Sequence, residues 1–138
     1  MQIAVETEPR QADIAALGAG LNEHTLPLVG SAGFRPLAVM ARESDGALAG
    51  GVYGFVNWEW VQISLLWVGA EHRGSGLGSK LLAAIEAAAR ERGCVNAHLD
   101  TFSFQARPFY ERHGYVVFAE IEDYPQGHSR YFLRKRLG

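Results

Sequence analysis

The sequence predicts a single α/β domain with six to seven strands and flanking helices. Two observations carry that expectation. Segments of strand-like and helix-like periodicity follow one another in the order β-α-β-β-β-α-β-α-β-β. Across residues 1–138 there is no repeat, low-complexity tract or linker, and 138 residues are enough to bury a core.

The elements follow in order. Gln2 to Glu6 alternates weakly and reads as a first strand. Ile14, Leu17 and Leu21 fall at helical spacing between Arg10 and His24, giving a helix that ends near Leu26-Pro27. Leu37 to Arg42 and Leu48 to Val56 are strands joined by the hairpin signal Ser44-Asp45-Gly46. Gly50, Gly51 and Gly54 in the second of these imply close backbone approach or a bulge. Beyond an aromatic turn at Asn57 to Trp60, Val61 to Val68 is strongly β-prone. Leu77, Leu81, Leu82, Ile85, Ala88 and Ala89 then define an amphipathic helix closed by Gly93. Val95 to Thr101 is a strand and Gln105 to His113 a short helix. Tyr115 to Ile121 and Ser129 to Arg136 are strands joined by a turn containing Pro125 and Gly127.

Composition narrows the function classes. A formal net charge of −2 and a pI near 6.2 argue against a general grip on nucleic acid. No apolar run approaches a membrane span, and the N-terminus does not read as a signal peptide. The one cysteine, Cys94, excludes an internal disulfide and fits a reducing, cytoplasmic setting. The five histidines show no paired ligand spacing, so no metal is expected.

The most informative stretch is Glu71 to Lys80, EHRGSGLGSK. A strand, a glycine-rich turn and a helix start together form an anion site, because first-turn N–H groups lack intrahelical acceptors and the helix dipole adds positive potential. Glycines let several N–H groups converge, and Arg73 adds a charge. The Walker A pattern fails, since Lys80 follows Ser79 rather than glycine. The dinucleotide fingerprint fails too, since Ser79 and Leu81 stand where its last glycine would be needed.

Val68 to Leu82, VGAEHRGSGLGSKLL, resembles the acetyl-CoA loop of the GNAT superfamily of N-acetyltransferases, whose signature is Arg/Gln-x-x-Gly-x-Gly/Ala. A second stretch, Ala106 to Tyr115, resembles that family's A-x-x-(L/F)-Y-E-x-x-G-(F/Y), and the element order agrees. The resemblance implies a mixed, mostly antiparallel sheet whose fourth and fifth strands, here Val61–Val68 and Val95–Thr101, splay to receive acetyl-CoA. It assigns pyrophosphate contacts to the N–H groups of Arg73, Gly74, Ser75, Gly76, Gly78 and Ser79, and a pantetheine contact to the backbone near Leu66, Trp67 and Val68. Ser103 stands where many members place an asparagine that contacts CoA.

The resemblance also implies catalytic roles. Tyr110 matches the general acid beside the CoA sulfur, and the Val68 N–H is the donor to the carbonyl. For the base, one family position is occupied by Gln62, which cannot serve, and another by His98, with Asp100 on the same face. His98 and a water relay both stay open as the base. Trp58, Glu59 and Trp60 either wall an acceptor pocket suited to a small cationic amine or cap the core. His128 and Arg130, opening the last strand, either border the acceptor or, as the plainer reading, are solvated edge residues.

The expected function is acetyl-CoA-dependent N-acetyl transfer to the amine of a small molecule or an amino terminus. A catalytically weak acyl-CoA-binding sensor is the alternative, and acetylation of charged tRNA is disfavoured by the acidic balance. Edge strands with apolar faces are compatible with a homodimer.

Overall fold

Turn chemistry sets the first hairpin. The Asp45 carboxylate accepts the Ala47 N–H at 2.9 Å, and Gly46 takes φ 90°, a conformation that suits glycine. The computed structural model describes all residues, 1–138, and they fall into two compact units, Met1–Ala32 and Gly33–Gly138.

The first unit carries helix α1 (Gln11–Val29). Arg10 donates to the Asp13 carboxylate at 3.1 and 3.3 Å at its start. The helix runs past the expected end and includes Pro27. In the last turn a proline removes few hydrogen bonds, and Gly30, at φ 75°, closes the helix with its N–H on the Leu26 carbonyl at 2.9 Å. The expected strand at Gln2–Glu6 does not form. Weak alternation over so short a run gives no strand without a partner to supply a ladder.

The second unit carries strands β1 (Arg35–Arg42), β2 (Leu48–Asn57), β3 (Trp60–Val68), β4 (Asn96–Phe102), β5 (Val116–Glu122) and β6 (Ser129–Arg136), with helices α2 (Leu77–Glu91) and α3 (Arg107–Arg112). The sheet order is β1-β2-β3-β4-β6-β5, so the fourth and fifth strands of the sequence reading are β3 and β4. Every pairing is antiparallel except β3–β4, which the α2 crossover makes parallel. Leu81, Leu82, Ile85 and Ala89 of α2 pack on Val52, Val56, Val61, Ile63, Ala97, Leu99 and Leu133 of the sheet. Burying each large aliphatic side chain contributes about 1.5–3 kcal/mol.

The parallel pairing is short. Trp60 to Ile63 pair with Asn96 to Leu99, and beyond Ile63 the two strands part. The cause lies on the other side of β3. Gly54 pairs with Ile63 and Tyr53 with Leu65, leaving Ser64 as an extra, unpaired residue. A bulge of this kind bends and twists its strand. Gly54 permits the approach: a Cβ there would sit 2.2 Å from the Gln62 carbonyl oxygen.

That contact is with backbone, so it cannot be relieved by a rotamer change. Gly54→Ala is expected to lower stability by about 2–3 kcal/mol. Urea denaturation of the variant and the parent checks this, and equal midpoints would mean that the bulge tolerates a side chain.

Candidate active site

The glycine-rich loop joins β3 to α2 through a short 3₁₀ turn at Ala70–His72. Gly74 (φ 77°) and Gly76 (φ 84°) adopt the left-handed conformation that residues with a Cβ resist. They turn the chain so that α2 begins facing the sheet edge. The first-turn N–H groups of Leu77, Gly78 and Ser79 have no acceptor within the helix, while that of Lys80 reaches the Gly76 carbonyl at 3.1 Å. A hollow of about 330 Å³ lies over this cradle, bounded by Arg73, Gly74, Gly76, Gly78, Ser79 and Arg112. Two guanidinium groups and a helix start give it the character of an anion site.

A larger cleft of about 670 Å³ fills the gap between the parted strands. Leu65, Leu66, Trp67 and Val68 of β3 form one wall, and Asp100, Phe104 and Tyr110 stand among the residues opposite. Val68 and Arg73 border both hollows, so the cradle opens into the cleft. The Arg73 Nε–H donates to the Val68 carbonyl at 3.3 Å and ties the loop to the end of β3. On the far wall, the Gln105 amide oxygen accepts the Phe102 N–H at 3.1 Å and the Thr101 hydroxyl accepts the Ala106 N–H at 3.4 Å. These bonds fix the turn that leads into α3.

Tyr110 is buried, with 8% of its surface exposed, and its ring meets Phe109 and Tyr115 edge-on. Burial first, and then the charge of Asp100, raise its phenol above the usual tyrosine value. The phenol therefore holds its proton at neutral pH. Behind it, the Tyr115 hydroxyl donates to Glu86 at 2.8 Å, and the Lys135 ammonium donates to both Glu86 carboxylate oxygens at 2.9 and 3.0 Å. Burial, with Glu86 close by, pushes the Tyr115 phenol up strongly as well.

The structure brings together Leu66, Val68, Arg73, Gly74, Gly76, Gly78, Ser79 and Tyr110 around the two connected hollows. Others of the expected residues lie elsewhere. Ser75 is in the loop but does not border either hollow, and its hydroxyl donates to the His72 carbonyl. Ser103 faces the β5–β6 turn, where His128 hydrogen-bonds its hydroxyl at 3.2 Å and the Ser129 N–H reaches it at 3.1 Å. His98 sits where the strands are still paired, opposite Gln62, with its ring edge-on to Trp60 at 5.7 Å. Trp58, Glu59 and Trp60 lie at the start of β3, the opposite end from Val68. The Glu59 carbonyl there accepts the N–H groups of Val95 and Asn96 at 2.9 and 3.3 Å.

Asp100 shares a strand face with His98, as its spacing implies, but its carboxylate pairs with Arg130 of β6, at 2.9 and 3.0 Å. Arg130 in turn lies over Phe102, Tyr124 and Phe132, at 5.5, 5.2 and 5.1 Å. Alternation along both strands puts these groups on one face, but the neighbour relation of β4 and β6 is a property of topology. No group of three or more His, Cys, Asp or Glu side chains is placed to hold a metal ion. No helix is long and apolar enough to cross a membrane.

Comparison with known proteins adds independent findings. Residues 9–115 match the family described as Acetyltransferase (GNAT) family. Blasticidin-S acetyltransferase of Streptomyces morookaense is 49% identical over 107 residues, 75% of this chain and 79% of that protein. An acetyltransferase of Agrobacterium fabrum is 34% identical over 114 residues, 83% of each chain. The crystal structure of an acetyltransferase from Bacillus cereus superposes with a TM-score of 0.87 at 31% identity, covering 96% of this chain and 97% of that one.

His98 offers a test that needs no ligand. Burial lowers its imidazole below the ordinary value near 6.5, with Asp100 opposing in part. Between that value and the folded one, the unfolded chain carries a proton that the native chain lacks, so acid favours unfolding there. Stability is therefore expected to fall as pH drops through 6.5, and His98→Gln is expected to flatten that fall. Denaturant midpoints at pH 7.5 and 5.5 check the slope; an unchanged slope in the variant refutes the assignment.

Proposed function

The chain belongs to the GNAT family of acetyltransferases, and from that premise we propose that it moves the acetyl group of acetyl-CoA directly to the amine of a small molecule. The observation that carries the reading is the junction at Val68 and Arg73, where an anion cradle opens into a cleft walled by Tyr110. When bound, acetyl-CoA supplies its acetyl group as a thioester, whose carbonyl carbon bonds to the amine nitrogen as the C–S bond breaks.

The residues divide the work. The backbone of Arg73, Gly74, Gly76, Gly78 and Ser79 holds the pyrophosphate, with Arg73 adding charge, while Ser75, whose N–H and hydroxyl both turn to the His72 carbonyl, stands aside. β4 leaves the backbone of Leu66 and Val68 unpaired on one side, which suits an extended pantetheine arm lying along it as an added strand. The Val68 N–H is the donor to the carbonyl oxygen as negative charge develops there. Tyr110 gives its proton to the departing sulfur, and a raised phenol pKa keeps that proton available. The nitrogen loses two protons in all: one restores Tyr110 and the other leaves to solvent.

An acceptor of small-molecule size is supported by the 49% identity to a blasticidin-S acetyltransferase, which makes blasticidin S the first amine to test. Acetyl-CoA is expected to raise the Tm, and thiol release is expected to depend on an added amine from a panel of blasticidin S, spermidine and a short peptide. Absence of acetyl-CoA binding overturns the reading. Binding without turnover on any of the three favours a sensor instead.

Within this scheme Tyr110→Phe is expected to lower kcat by roughly 10²-fold while leaving the acetyl-CoA KM near its parent value. Stopped-time thiol assays across pH measure both. A variant with the parent rate and pH profile removes Tyr110 from the chemistry.

A further inference from the structure

Asp100 is held in an unusual way for a strand carboxylate. The Arg130 Nε–H donates to Oδ1 at 3.0 Å, and a terminal nitrogen stands 2.9 Å from the same oxygen, so both contacts fall on Oδ1. A guanidinium and a carboxylate facing squarely would pair two donors with two oxygens. Here Oδ2 has no protein donor, and Asp100 borders the cleft. The arginine is itself fixed. It lies over Phe102, Tyr124 and Phe132, and the Tyr124 hydroxyl accepts a bond from its terminal nitrogen at 3.3 Å. An ion pair whose partners are 27% and 28% exposed adds little to stability. Four aromatic or phenolic contacts spent on orienting one such pair point to a task in the cleft.

We infer that Asp100 is the acceptor-binding carboxylate, taking an N–H of the substrate's cationic amine on Oδ2, with Arg130 as the positioning residue that aims it. The inference rests on the transfer reading above and names the acceptor end of that same cleft. The ligand class is a primary amine that arrives as an ammonium. His98, two residues earlier on the same strand, stands beside Trp60, where β3 and β4 are still paired, and leaves this position to Asp100. The other ionisable groups that feel the charge of Asp100 are Tyr110 from α3 and His98 from its own strand, with Tyr124 bonded to Arg130 and Arg73 on the border of the cleft.

The test uses whichever of blasticidin S, spermidine and the peptide is turned over fastest. Asp100→Asn is expected to raise the KM for that amine by about 10–100-fold, with the acetyl-CoA KM within about twofold of the parent. Arg130→Lys, which keeps the charge but not the paired donors, is expected to raise the amine KM by a smaller factor. Asp100→Asn leaves Arg130 without its counter-charge, so the double variant Asp100→Asn/Arg130→Met guards against a folding defect. It is expected to show the same loss of amine affinity at a Tm close to the parent. An amine KM unchanged in Asp100→Asn, or restored in the double variant, overturns the inference while leaving acetyl transfer intact. A protein that acetylates none of the three amines overturns the transfer reading and this inference with it.

Discussion

The extra residue at Ser64 is the constraint on which the rest of the site depends. Before the bulge, Val61 and Ile63 point into the core; after it, Leu66 and Val68 do. The inserted residue shifts the alternation by one, so β3 keeps its apolar face on α2 while its free edge swings away from β4. A regular β3 would have continued its ladder along β4 and left no gap. Gly54 makes the bulge sterically possible, and the short parallel pairing from Trp60 to Ile63 is what remains of the ladder.

Helix α2 then serves two ends at once. Its apolar stripe binds it to the sheet, which fixes the direction in which its first-turn N–H groups point. Its one buried carboxylate, Glu86, is satisfied by Lys135 from β6 and Tyr115 at the start of β5. Removing one partner of so buried a pair is strongly destabilising, whereas the complete set carries no orphaned charge. Tyr115 also leans on Tyr110. The same network that seats α2 under the sheet therefore backs the tyrosine on the cleft wall, and cradle and wall are held by one piece of core.

What could be read from the sequence follows from how local each feature is. The hairpin at Asp45-Gly46, the stripe of α2 and the glycine turn are set by residues close in the chain, and all appear where periodicity and turn chemistry put them. Gly54 was legible as a place of close approach, although the residue it would meet was not. Gln2–Glu6 failed as a strand because alternation describes a face and says nothing of a partner. The helix passed through Pro27 because the cost of proline depends on where in the helix it falls, which the stop signal alone does not weigh.

The two halves of the site were unequally visible for a physical reason. The cradle is built of backbone, and backbone that must bend leftward or come close needs glycine, so its demand is written into consecutive residues. The opposite wall is built of side chains: Asp100 from β4, Arg130 from β6 and Tyr124 from the turn between β5 and β6. Such a wall places no demand on neighbouring residues and leaves no local pattern, and only the adjacency of β4 and β6 assembles it. It also follows that the two halves can change independently. In the proposed scheme, substitutions at the wall change which amine fits without disturbing the bend of the loop or the bulge, so that one donor cradle serves different acceptors through the few side chains that the sheet order brings together.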